Sequence, residues 1–179
     1  MSIDSTASTG DYAPREPANQ MEDTVLRRSR ELFAEHGGFP VRTAIIEHAG
    51  EMAPVTLPRM GRGGDIILSA FKQYVSEKLP NVSGIALVME TWGVRLEIGQ
   101  SRDNLPRDLE SLTPEQGRFE ALTVVIEHRD FPERCHLWQA FITRDAQGMP
   151  TLGPWLASDG DVGGQSVGLL PNLTGERAD

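Results

Sequence analysis

Cysteine is nearly absent from this chain. Cys135 stands alone among 179 residues, which excludes an intramolecular disulfide and any zinc site built from several thiolates. Long hydrophobic runs are missing as well. Nothing approaches ~18 consecutive apolar residues, so no membrane-crossing helix is predicted. Residues 1–19 lack the basic start and apolar run of a secretory signal, and a cytoplasmic protein is expected. Asn172-Leu173-Thr174 then matches a glycosylation sequon only by chance.

Positive charge is also scarce. Lys and Arg number 17 against 26 Asp and Glu, a formal net charge of −9. A surface of that average sign repels a phosphate backbone, so general nucleic-acid binding is not expected, and with no long apolar run no membrane partner is expected either. The one Arg-rich stretch, Arg27, Arg28 and Arg30, is interleaved with Glu22, Asp23, Glu31 and Glu35, and reads as a solvated helix face.

Motifs with a known chemistry are lacking too. The loop Gly61-Arg62-Gly63-Gly64 precedes a helix start, but Lys-Ser/Thr does not follow it, and Asp65 puts a negative charge at the cap. Asp159-Gly160-Asp161 opens like a calcium loop, yet its twelfth position is Leu170. His36 falls at a helix end. His48, His128 and His136, with Glu47 or Glu127, show no metal-ligand spacing. No metal and no cofactor are predicted.

What is present is a patterned middle between two polar ends. Residues 1–19 and 156–179 bury too little apolar surface to offset their ordering entropy and read as disordered tails around one domain, 20–155. Val25, Leu26, Ser29, Leu32 and Phe33 make one face of a helix over about 21–36, which Gly37-Gly38 and Pro40 end. Val41 to His48 alternates like a strand. Ala49-Gly50 turns it, and Val55 to Leu57 returns between Pro54 and Pro58, at a sheet edge. A second helix, from Asp65 to about Lys78, carries Ile67, Leu68, Phe71, Tyr74 and Val75 on its apolar face.

Gly84 to Ile98 is the strongest strand, and its run Ile85–Met89 is apolar on both faces. Residues 100–118 form a long polar excursion with at most a helical turn or two, of a length usually functional or mobile. Glu120–His128 and Cys135–Thr143 pair as a hairpin, and Pro150–Trp155 adds a further strand. The expected fold is α+β: an antiparallel or mixed sheet of five to six strands, two helices packed on one face, in the order α-β-β-α-β-β-β.

That order is similar to the roadblock and profilin-like layouts, an analogy of fold alone. The segment Ala86-Leu87-Val88-Met89-Glu90-Thr91-Trp92, its long loop and Glu120-Ala121-Leu122 resemble small uncharacterised bacterial and phage proteins over residues 83–155. The resemblance implies a fold and no activity.

Three groups of residues are candidates for function. Glu90 shares a strand face with Ala86, Val88, Trp92 and Val94. A carboxylate there is either a general acid or base of raised pKa or the partner of an Arg such as Arg42 or Arg129. In the hairpin, a four-residue loop over Asp130–Glu133 sets His128 opposite Cys135 and Glu127 opposite His136. A Cys–His pair can make a nucleophile, and a Glu–His pair can orient an imidazole. A slip of one residue reverses every face in that argument. Trp92 and Trp138 are candidates for a partner surface, against a reading as sheet packing.

With no catalytic motif, the expectation is a non-enzymatic interaction or assembly module that binds a protein partner or itself. The alternative is a small enzyme, a hydrolase, using Glu90 or His128 with Cys135.

Overall fold

The computed structural model describes residues 12–13, 15–39, 42–57, 70–71, 73–75, 77–79, 81–94, 112–131 and 135–158. The 59–64 loop with the Asp65 cap, most of the 100–118 excursion, Pro132 to Arg134, Asp159–Asp161, the sequon and residues 1–11 and 159–179 lie outside the described residues.

Helix α1 (Gln20–His36) starts because Asn19 is extended and its side chain accepts the Glu22 N–H at 2.9 Å. That satisfies one of the donors every helix start leaves open. It stops at Gly37, whose φ of 66° turns the chain left-handed while its N–H returns to the Phe33 carbonyl. Met21, Val25, Leu26, Ser29 and Phe33 form the buried stripe. Leu32, at its flank, is 42% exposed.

The strands are β1 (Tyr12–Ala13), β2 (Thr43–His48), β3 (Glu51–Thr56), β4 (Val82–Val94), β5 (Arg118–His128), β6 (His136–Arg144), β7 (Pro150–Leu152) and β8 (Leu156–Ser158). A 3₁₀ turn, Pro114–Gln116, precedes β5. The strands form one antiparallel sheet in the order β1-β8-β6-β5-β4-β2-β3, with β7 also on β6. It curls towards a half-barrel. β7 and β8 follow one another along β6, so Leu156–Ser158, expected in a tail, is strand. The expected element order is corrected by these short additions at both ends: β1 precedes α1 and β8 follows β7.

Helical backbone recurs at 70–71, 73–75 and 77–78, and is termed α2 here. The expectation that both helices share one face is also corrected. Alternate residues of a strand point to opposite faces. Ala86, Val88, Leu122, Val124, Ile126 and Trp138 bury against α1. Ile85, Leu87, Met89, Val125 and Leu137 bury with Phe71 and Val75 of α2. α1 and α2 therefore cover opposite sides of the sheet, while Tyr74 points outward at 55% exposure. Each fully buried Val, Leu or Ile in these layers contributes about 1.5–3 kcal/mol.

Candidate functional site

The β5–β6 register decides which titratable groups meet. Ile126 pairs with His136 and Val125 with Leu137, one residue away from the register expected from a four-residue loop. The slip places His128 and His136 together on the α1 face. Glu127 is buried on the other face, where Cys135 also packs, against the α2-side cluster. The expected pairs His128–Cys135 and Glu127–His136 are therefore not formed.

His128 finds a different carboxylate. Glu47, Gly84 and His128 lie side by side on β2, β4 and β5. β2 and β5 are two strand spacings apart, about 9.5 Å, too far for side chains to meet over an intervening residue of ordinary size. Glycine clears the path. A Cβ on Gly84 would come within 2.3 Å of Met21 Sδ and 2.4 Å of His128 Cδ2. The ring lies across this gap and meets Glu47 Oε2 at 2.7 Å, where Ser83 Oγ also donates at 2.7 Å. The Asp130 N–H donates to His128 Nδ1 at 3.0 Å. The proton of the neutral ring is then assigned to Nε2, which donates to Glu47. The Ser83 hydroxyl serves the carboxylate and not the imidazole, so this is no nucleophilic triad.

His136 is held from the helix side. Its Nδ1 contacts Glu22 Oε1, which also accepts from Trp138 Nε1 at 3.1 Å, while Glu22 Oε2 accepts the Ala18 N–H at 2.5 Å. Arg15 Nη2 comes within 3.1 Å of the same imidazole nitrogen. One nitrogen cannot donate to Glu22 and accept from Arg15 at once, and the buried carboxylate makes it the donor. Burial by itself would raise the Glu22 carboxyl. The bonds from His136, Ala18 and Trp138 outweigh that and hold it below the ordinary value. The other ring nitrogen, Nε2, is buried with no hydrogen-bond partner among the described residues.

Phe131 stacks on His136 at 3.8 Å and leans on His128 at 5.4 Å. Two carboxylate–imidazole pairs thus flank one aromatic ring under the start of α1. Both imidazoles are nearly closed to solvent, at 6% for His128 and 4% for His136, so this arrangement fastens α1 and its preceding segment to the sheet. No group of three metal-ligating side chains occurs among the described residues.

The opposite end of the long strands carries two clefts among the described residues. Glu90 is exposed, and its Oε1 accepts the Phe39 N–H at 2.5 Å. It therefore ties down the segment after α1, and the carboxylate is used by backbone. It borders a cleft of about 290 Å³ with Phe33, His36, Ile142, Arg144 and Pro150. A larger cleft of about 610 Å³ adjoins it through Ile142 and Arg144, lined also by Pro114, Arg118, Phe119 and Phe141. Trp92 is 41% exposed with the Arg118 guanidinium 4.4 Å above its ring. Arg144 pairs with Glu120 at 2.9 Å. Trp138 is 1% exposed and belongs to the core under α1, so Trp92 is separated from it.

Glu22, Gly84 and Phe131 did not stand out in the sequence, and Glu47 stood there only as a metal ligand beside the histidines. Two signals were there. Asn19-x-x-Glu22 has the spacing of a helix capping box, and a glycine within an apolar strand marks a close approach. No family model, curated protein or solved structure matches the chain.

Proposed function

We propose that this protein is a non-enzymatic interaction module that takes a segment of a partner protein at the end of its sheet around Trp92 and Arg118. One observation carries the reading: Arg118 lies over the half-exposed Trp92 ring and also lines a cleft with Phe119, Phe141 and the Glu120–Arg144 pair. Tryptophan and arginine dominate the energetics of protein interfaces, and charged pairs at a rim set orientation. The cleft suits one aliphatic or aromatic side chain of a partner, with polar groups around it.

The enzyme alternative has less support. Glu90 is engaged by a backbone N–H, His128 and Cys135 lie on opposite faces, and the two imidazoles are closed in.

The test is quantitative capture from the native host with the full chain immobilised, comparing the unaltered protein with Trp92→Ala and Arg118→Ala. A specific partner whose recovery falls about tenfold or more in both variants is expected, the effect of losing about 1.4 kcal/mol. Equal recovery by all three proteins, with circular dichroism showing each folded, would sink the proposal.

A further inference from the structure

The two buried imidazoles differ in what a second proton would meet. On His136, Nδ1 is the donor to Glu22, and Nε2 is buried with no hydrogen-bond partner among the described residues. A proton added there is a buried donor with no acceptor, which is unfavourable. On His128 the second nitrogen, Nδ1, has two atoms of one residue beside it. The Asp130 N–H lies at 3.0 Å and the Asp130 carboxylate oxygen Oδ2 at 3.3 Å.

Those two neighbours suit opposite states of the ring. A neutral ring with its proton on Nε2 offers Nδ1 as an acceptor, and the N–H holds it. A charged ring carries a proton on Nδ1 as well, which repels that N–H and attracts the carboxylate. The turn is anchored on both sides of Asp130. The Arg129 N–H donates to the Ser83 carbonyl at 2.9 Å, and the Phe131 N–H to the His128 carbonyl at 3.1 Å. The Asp130 N–H sits between these anchors, so it can leave Nδ1 while both stay in place. Asp130 is exposed, so water can accept the N–H it releases.

The groups around His128 come from every element packed on it. Glu47 of β2 accepts from Nε2, and Ser83 of β4 donates to the same carboxylate oxygen. Met21 of α1 meets the ring over Gly84. Arg129 is exposed beside Asp130. Across Phe131 lie His136 of β6, Glu22 of α1 and Arg15. The charged ring therefore has a carboxylate at each of its two nitrogens.

We infer that His128 and the turn after it form a proton-operated switch. A proton taken from solvent onto Nδ1 exchanges the Asp130 N–H for the Asp130 carboxylate, which stays ionised, and the turn changes shape where Phe131 touches both imidazoles. This goes beyond the partner surface at Trp92 and uses none of its residues.

Nitrogen-15 NMR of the full chain between pH 8 and pH 5 tests the switch. The neutral His128 ring is expected with its proton on Nε2. As the ring charges, the Asp130 amide resonance is expected to move with it. After correction for pH, that amide should exchange with solvent about fivefold faster, the effect of one ordinary hydrogen bond. The Nδ1–H of the charged ring should be visible at pH 5, and it should be lost to exchange in Asp130→Ala, which keeps the N–H and removes the carboxylate. An Asp130 amide that stays in place while the ring charges would overturn the inference. So would a ring still neutral at pH 5, or an Nδ1–H that survives in Asp130→Ala. Trp92→Ala is expected to leave these signals unchanged, so failure here is separate from failure of the partner surface.

Discussion

At the scale of single residues, the histidine end rests on an absence. Gly84 holds the gap through which His128 reaches Glu47, and Met21 of α1 fills the rest of it. Ala at this position adds one methyl where Sδ and Cδ2 already lie within 2.4 Å. Overpacking of this kind costs about 1–3 kcal/mol. We expect Gly84→Ala to lower the urea midpoint accordingly and to move the His128 imidazole resonances, while His136 is less affected. An unchanged midpoint would show that the ring does not lie over the glycine. The sequence marked His128 and His136 as worth attention, and Glu47 beside them only as a metal ligand, but not the pairs they form. Their pairing depends on how many residues lie in the β5–β6 connection, and a composition of Arg, Asp, Phe, Pro and Glu does not fix that number. A shift of one residue exchanged Cys135 for Phe131 as the neighbour of His128.

Among elements, the β2–β3 hairpin offers the most direct measurement. Ala49 and Gly50 both have positive φ, 53° and 82°, between the paired residues His48 and Glu51. Such a two-residue turn matches the twist of the strands but is unfavourable for alanine. Asparagine adopts that conformation more readily. Ala49→Asn is therefore expected to raise stability by about 0.5–1 kcal/mol, read as a higher thermal midpoint with an unchanged spectrum. A lower midpoint would contradict the turn geometry.

The turn was legible from Ala49-Gly50, and so were α1, β4 and the hairpin, because period and punctuation are local signals. The placement of α2 was not deduced, although its clue was visible. Ile85–Met89 is apolar on both faces, and a strand of that kind requires a cover on each side. β1 and β8 are too short for any periodicity. They exist because β6 has an open flank for β8, and β8 in turn for β1, a tertiary cause that no local window contains.

For the whole molecule, the consequence of the buried Glu22 carboxylate is a dependence of stability on acid. Burial tends to raise the Glu22 carboxyl, and the bonds from His136, Ala18 and Trp138 lower it by more. Glu31 is lowered by Arg28 and Arg27, and Glu115 by the Thr113 side chain and its own backbone N–H. All three folded values lie below those of the unfolded chain. The unfolded state then binds more protons as pH falls, and the stabilisation present above the ordinary carboxylate range disappears as pH drops through the folded values. Glu31 and Glu115 are exposed and screened, so Glu22 should supply most of the slope. Urea unfolding at pH 7, 5, 4 and 3, at low protein concentration, tests this. The unaltered chain should lose stability steeply below about pH 4.5. Glu22→Gln should be less stable at pH 7, because an amide cannot match a carboxylate beneath three donors, and should lose less between pH 5 and pH 3. Parallel curves for the two proteins would mean that Glu22 is no more acidic when folded than when unfolded. The acid response would then have to come from the fall of the −9 net charge through zero to positive values, a change that both proteins share.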